Sequence, residues 1–110
     1  MKNAKVELLQ GTLDMLILKS LSTGALHGYD IAERIQQMSD DVLTIQEGSL
    51  YPALHRMEEA GFIHAKWISK GPGRRARIYD VTSRGRKQLA TEEARWTAVT
   101  DAVQRVLKFA

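Results

Sequence analysis

The period of the apolar residues changes at Gly61. Before that point they recur at helical spacing. After it, FIHAKWI (62–68) and ARIYDVT (76–82) alternate and are rich in aromatic and β-branched residues. SKGPGRR lies between the two runs. In it Pro72 presets the first central position of a turn, and Gly73 accepts a positive φ at the next. The spacing predicts a β-hairpin with a basic tip, embedded in an otherwise helical chain.

Three helices are expected before the hairpin. The first runs from about Val6 to Leu21 and carries Leu8, Leu9, Leu13, Met15, Leu16, Ile17, Leu18 and Leu21. These cover more than one face, so the helix must be covered on both sides, by the domain's other helices or by a second subunit. Residues 1–5, with Lys2 and Lys5, are expected to fray. Gly24 stops the helix. The second begins near His27 or Gly28, places Tyr29, Ile31, Ala32 and Ile35 at helical spacing and ends near Met38. Asp30 in its first turn suits the helix dipole. The linker SDDVLTIQE follows, with Val42, Leu43 and Ile45 as a candidate short extended piece.

The third helix lies in EGSLYPALHRMEEAGF (47–62) and is expected over 49–60. At about 100° per residue, Leu50, Leu54 and Met57 fall on one side, and Pro52, His55, Arg56 and Glu59 on the other. Ser49 and Tyr51 stand at its start. Gly48 and Ser49 suit a cap, Pro52 is tolerated in a first turn, and Gly61 is a natural stop. After the hairpin, Thr82 or Ser83 caps a last helix reaching about Lys108, and Gly85 weakens its first turn. Leu89, Trp96, Val103 and Ala110 are seven apart. Val99 and Val106 fill a second series that Glu92 interrupts. Such a seam suits a partner helix. At 1.5 Å per residue a 26-residue helix is roughly 39 Å long, more than a three-helix body can cover. A dimer joined through Leu89, Trp96, Val99, Val103 and Val106 is the economical cover.

The order helix, helix, helix, hairpin, helix defines a mainly α chain with a β-hairpin wing. It is a winged helix-turn-helix over 1–82, followed by a long dimerisation helix over 83–110. At 110 residues this is one domain, burying roughly 65% of its unfolded surface.

Residue chemistry narrows the function classes. The chain has no cysteine, and His27, His55 and His64 show no metal-ligand spacing. GPGRR lies in a hairpin and does not open a helix, Ser49 has no evident base, and Glu58-Glu59 reads as a solvated helix end. Nothing supports an enzyme, a cofactor or a metal. Leu8 to Leu21 is broken by Gln10, Asp14 and Lys19 and is too short to span a bilayer. No signal-peptide cleavage pattern follows it, so a cytoplasmic location is expected.

The net charge is +3 and the pI about 9.4, a mild bias toward polyanions. Its distribution is more telling. Between residues 70 and 87 stand Lys70, Arg74, Arg75, Arg77, Arg84, Arg86 and Lys87 against Asp80 alone. The outward side of the third helix offers Ser49, Tyr51, His55 and Arg56 to base edges and phosphates in a DNA major groove. The wing at 69–77 offers Lys70, Arg74, Arg75 and Arg77 to phosphates or to the minor groove. The alternative is a protein-docking winged helix without specific DNA binding, which has no need of clustered arginines at that tip. Trp96 sits in mid-seam, where a flat aromatic or cationic ligand would fit if two indoles left a gap, or where it simply packs as a core residue. Trp67 is read as an ordinary packing residue of the hairpin.

Four segments, LQGTLDMLILKSL, LHGYDIAERI, EGSLYPALHRMEEAGFI and GRRARIYDVTSRGRKQL, occur in an order and at a spacing that resemble the PadR family of bacterial transcriptional regulators. The match runs from about Leu9 to Leu107, and the single C-terminal helix resembles the family's short subclass. The resemblance implies a homodimeric winged helix that binds palindromic operator DNA and usually represses. It implies DNA contacts by Tyr51, with Ser49 and His55 beside it, and by Arg74, Arg75 and Arg77. Short members of the family can bind flat aromatic compounds at the dimer centre near a tryptophan of the last helix, and Trp96 stands where that residue would stand, so the resemblance makes it a possible effector site.

Overall fold

The computed structural model describes residues 10–110. Among the described residues, four helices and three short strands follow in the order α1 (Gln10–Leu21), β1 (Leu26–His27), α2 (Gly28–Met38), α3 (Glu47–Glu59), β2 (Ile63–Ser69), β3 (Arg75–Val81) and α4 (Ser83–Lys108). The expected start of the first helix at Val6, with Leu8, Leu9 and the lysines before them, lies outside the described residues.

α1 is the centre of the core. Ile17, Leu18 and Leu21 are at most 1% exposed, and Leu13 and Met15 are also buried. Around them pack Ile31 and Ile35 of α2, Leu50, Ala53, Leu54 and Met57 of α3, and Leu89 of α4. Because helices surround α1, its apolar residues need not form a narrow stripe. Ser20, a buried polar side chain of α1, donates its hydroxyl to the Ile17 carbonyl at 2.7 Å, which satisfies it.

The sheet has the order β1-β3-β2 and is antiparallel throughout. The hairpin registers Ile63 with Val81 and Trp67 with Arg77. At its tip the Arg74 N–H donates to the Gly71 carbonyl at 3.0 Å and Gly73 has φ 68°, the turn that Pro72-Gly73 predicts. β1 is an addition to the hairpin. Leu26 and His27 pair with Tyr79 and Ile78. Two residues carry no alternation to be read, so only the neighbouring strand reveals it. The linker after α2 is irregular, with Leu43 and Ile45 half-buried against the core.

Two junctions fix how the hairpin leaves the helices. α3 ends in a Schellman arrangement: the Phe62 N–H donates to Met57 O, the Gly61 N–H donates to Glu58 O, and Gly61 has φ 81°. α4 begins at the Thr82 cap. The Thr82 hydroxyl accepts from the Gly85 N–H at 3.0 Å and donates to the Gly61 carbonyl at 2.7 Å. Gly85 does more than weaken a first turn. A Cβ there would overlap the Phe62 carbonyl oxygen and lie 2.8 Å from Val81 Cγ2. The glycine lets the start of α4 lie directly on the turn that leaves α3.

Candidate nucleic-acid interface

α3 starts at Glu47, two residues ahead of the expected Ser49, with Gln46 as a cap that makes no side-chain bond. Pro52 therefore sits in the second turn. It cannot donate to the Gly48 carbonyl, which lies on an exposed residue where water can serve instead. Leu50, Ala53, Leu54 and Met57 hold the helix to the core. The opposite side presents Ser49, Tyr51, Pro52, His55 and Glu59 to solvent. His55 Nε2 lies 2.7 Å from Glu59 Oε1, one turn along, and both side chains are well exposed.

Arg56 departs from the expected outward side. Its Nη2 donates to Asp14 Oδ1 of α1 at 2.6 Å, which draws the side chain toward the domain body. The spacing places Arg56 near the boundary of the two sides, and the carboxylate on α1 decides between them.

Tyr51 leans on the start of α2. A Cβ at Gly28 would lie 3.1 Å from Tyr51 Cε1 and 3.3 Å from Tyr79 Cε1, so the absence of a side chain at Gly28 makes room for both rings. Tyr51, Gly28 and Tyr79 line a groove of about 430 Å³ together with His27, Tyr29, Trp67, Ala76 and Arg77. The groove joins the start of α3 to the wing. Burial pushes the Tyr79 phenol above its ordinary pKa. The Arg77 charge opposes that shift, and Glu58 and Tyr51 add to it.

On the wing, Lys70, Arg74 and Arg75 are exposed. Ile63, Tyr79 and Val81 are buried near the base of the hairpin, whereas Trp67 toward the tip is 52% exposed. Trp67 is thus a surface platform and not the packing residue expected of it. The Arg75 guanidinium lies 4.7 Å from its ring centre and that of Arg77 5.3 Å. Cross-strand register puts these groups on one face, since Trp67 is opposite Arg77 and Arg75 is two residues away. Arg77 does not extend freely. Its Nη2 donates to both carboxylate oxygens of Glu58 on α3, at 3.0 and 2.7 Å.

The expected seam on α4 divides in two. Leu89 is 8% exposed and belongs to the core of its own chain, because α4 still lies against α1 there. Trp96, Val99, Val103 and Val106 are 49–73% exposed. Glu92 between the halves is half-buried and accepts from Gln88 Nε2 at 2.9 Å and Arg95 Nη1 at 3.2 Å. Clefts of about 300 and 290 Å³ lie between α1 and α4, both lined by Met15 and Trp96. Among the described residues, no helix is long and apolar enough to cross a membrane.

Comparison with known proteins agrees with this geometry. A model of the transcriptional regulator PadR-like family matches residues 17–91. The negative transcriptional regulator PadR of Bacillus subtilis (strain 168) is 27% identical over 77 residues, which make up 70% of this chain and 42% of that protein. A transcriptional regulator from Clostridium thermocellum superposes with a TM-score of 0.84 at 27% identity, over 90% of this chain and 96% of that one. The structure of Bacillus subtilis PadR in complex with operator DNA gives a TM-score of 0.67 at 26% identity, over 73% of this chain and 45% of that one.

Proposed function

The chain belongs to the PadR-like family of transcriptional regulators, and from that membership we propose that it acts as a homodimeric repressor reading a palindromic operator. The observation that carries the proposal is the placement of the exposed side of α3 and the basic wing on either side of one groove, with Tyr51 lining it from the helix and Trp67, Ala76 and Arg77 from the wing. A helix with an exposed polar and aromatic side suits a major groove, and the cations at the hairpin tip suit the flanking phosphates. The relative solved in complex with operator DNA supports a DNA-binding role.

In this reading Ser49, Tyr51 and His55 meet base edges and phosphates. Lys70, Arg74 and Arg75 release counterions from the backbone or enter the minor groove. Arg56 and Arg77 belong to the same surface, with their guanidinium groups already engaged by carboxylates. The dimer forms where Trp96, Val99, Val103 and Val106 leave an apolar strip uncovered. Two subunits then read half-sites roughly 34 Å apart, one turn of the duplex. The clefts beside Trp96 give a flat aromatic effector a place to enter and change the angle between the two wings. Residues 1–82 serve as the reading head and 83–110 as the coupling helix. A cytoplasmic location goes with this function.

Binding to the DNA upstream of the protein's own coding region, beside a scrambled fragment and over a range of salt, tests the proposal. Tight binding to the first that falls steeply with salt is expected. Arg75→Ala should weaken binding to both fragments and flatten the salt dependence by about one ion per subunit. Tyr51→Ala should cost mainly the preference for the specific fragment. Variants that both bind like the parent would remove the docking model, and a parent that binds neither fragment at low salt would favour a protein-docking role.

A further inference from the structure

We infer that the Arg77–Glu58 bridge is a strut that holds the wing at a set angle to α3, so that Arg77 acts as a positioning residue and Glu58 as a determinant of sequence specificity. The inference rests on the DNA-reading function proposed above.

Glu58 is costly where it stands. It lies in the last turn of α3, where a carboxylate opposes the helix dipole. It also puts a negative charge beside a surface meant for phosphates. Pairing with Arg77 offsets both costs. The two side chains are 31% and 35% exposed, shielded enough for the pair to hold its geometry. Among the described residues this is the one ion pair joining α3 to the hairpin.

The arginine is fixed on its other sides as well. Trp67 and Tyr79 hold its guanidinium at 5.3 and 5.9 Å from their ring centres. Its Nε is buried without a hydrogen-bond partner. At its base the hairpin is held by Thr82 on Gly61 and Phe62. Base contact and strut together fix two points along the wing. Tyr51 on α3 and Arg75 on the wing then meet the duplex in one register. Without the strut the wing still carries its charge, but at a spread of angles.

Electrostatics and positioning make opposite predictions for Glu58→Gln. Removing a negative charge near phosphates ordinarily strengthens DNA binding. Loss of the strut instead weakens binding to the upstream fragment about tenfold, within the range that one lost base-pair contact costs. Binding to scrambled DNA stays equal or tightens, and the salt slope does not change. Arg77→Gln should give the same loss of preference, and the double variant should lose no more than either single one, because both break one connection. The experiment measures the parent and the three variants on both fragments over a salt series, with circular dichroism showing the fold intact. If the parent prefers the upstream fragment and Glu58→Gln keeps the full preference, the strut falls and the function stands. If the two single losses add, or Arg77→Gln flattens the salt slope by about one, Arg77 is a phosphate contact and the strut falls again. A parent without preference removes the function and the strut together.

Discussion

The two halves of α4 share one helix, one apolar spacing and opposite fates. Gly85 and Leu89 are buried in the body of their own chain. One heptad after Leu89, Trp96 is 50% exposed, and Val103 after another is 49% exposed. Val106, Leu107 and Phe109 are more exposed still, at 73–88%. The difference lies in what each half meets. The first half rests on α1 and on the turn leaving α3. Among the described residues, the second half borders α1 across the clefts that Trp96 lines, and its apolar side chains stay about half exposed or more. A heptad pattern thus identifies a face that needs cover without saying what provides it.

This contrast can be broken from either end. The largest effect is expected at Gly85. Replacing it by alanine forces the start of α4 off the Phe62 carbonyl and should cost about 3 kcal/mol or more, the upper range for overpacking. Thermal melting would show it, and an unchanged midpoint would mean that the close approach is not needed. Leu89→Ala comes next, with about 2 kcal/mol lost as a cavity opens between α4 and α1. Chemical denaturation measures that loss. Val103→Asp should leave each subunit's helix content and core intact. It should weaken self-association on the order of 100-fold or more, since it buries an unpaired carboxylate in the proposed interface. Sedimentation equilibrium would follow the assembly, and Trp96 emission would shift to longer wavelength as the indole returns to water. If Leu89→Ala dissolved the dimer while Val103→Asp did not, the division of α4 would be drawn at the wrong place.

A second contrast lies among the arginines. Arg74 and Arg75 at the wing tip are exposed, whereas Arg56 and Arg77 are turned onto Asp14 and Glu58. In the sequence all four belong to the same candidate surface. Side-chain reach explains the difference. An arginine follows the nearest carboxylate, and a carboxylate 42 or 19 residues away has no local signature. The same holds for Trp67. Alternation identifies it as a strand residue, but only the register with β3 shows that it lies beneath two guanidinium groups.

What the sequence by itself determined is most of what neighbours a few residues away govern. The change of period at Gly61, the Pro72-Gly73 turn and the Thr82 cap locate the hairpin and α4, because backbone geometry at those points depends on local side chains. The buried stripe of α3 and its exposed Ser49, Tyr51 and His55 follow from helical spacing in the same way. Tertiary structure decided the rest. It added β1 to the sheet, made clearance at Gly28 and Gly85 a requirement, paired two arginines with carboxylates on other elements and assigned Leu89 to the core. Each of these depends on atoms brought together from distant parts of the chain, and a contact of that kind has no period for a sequence to display.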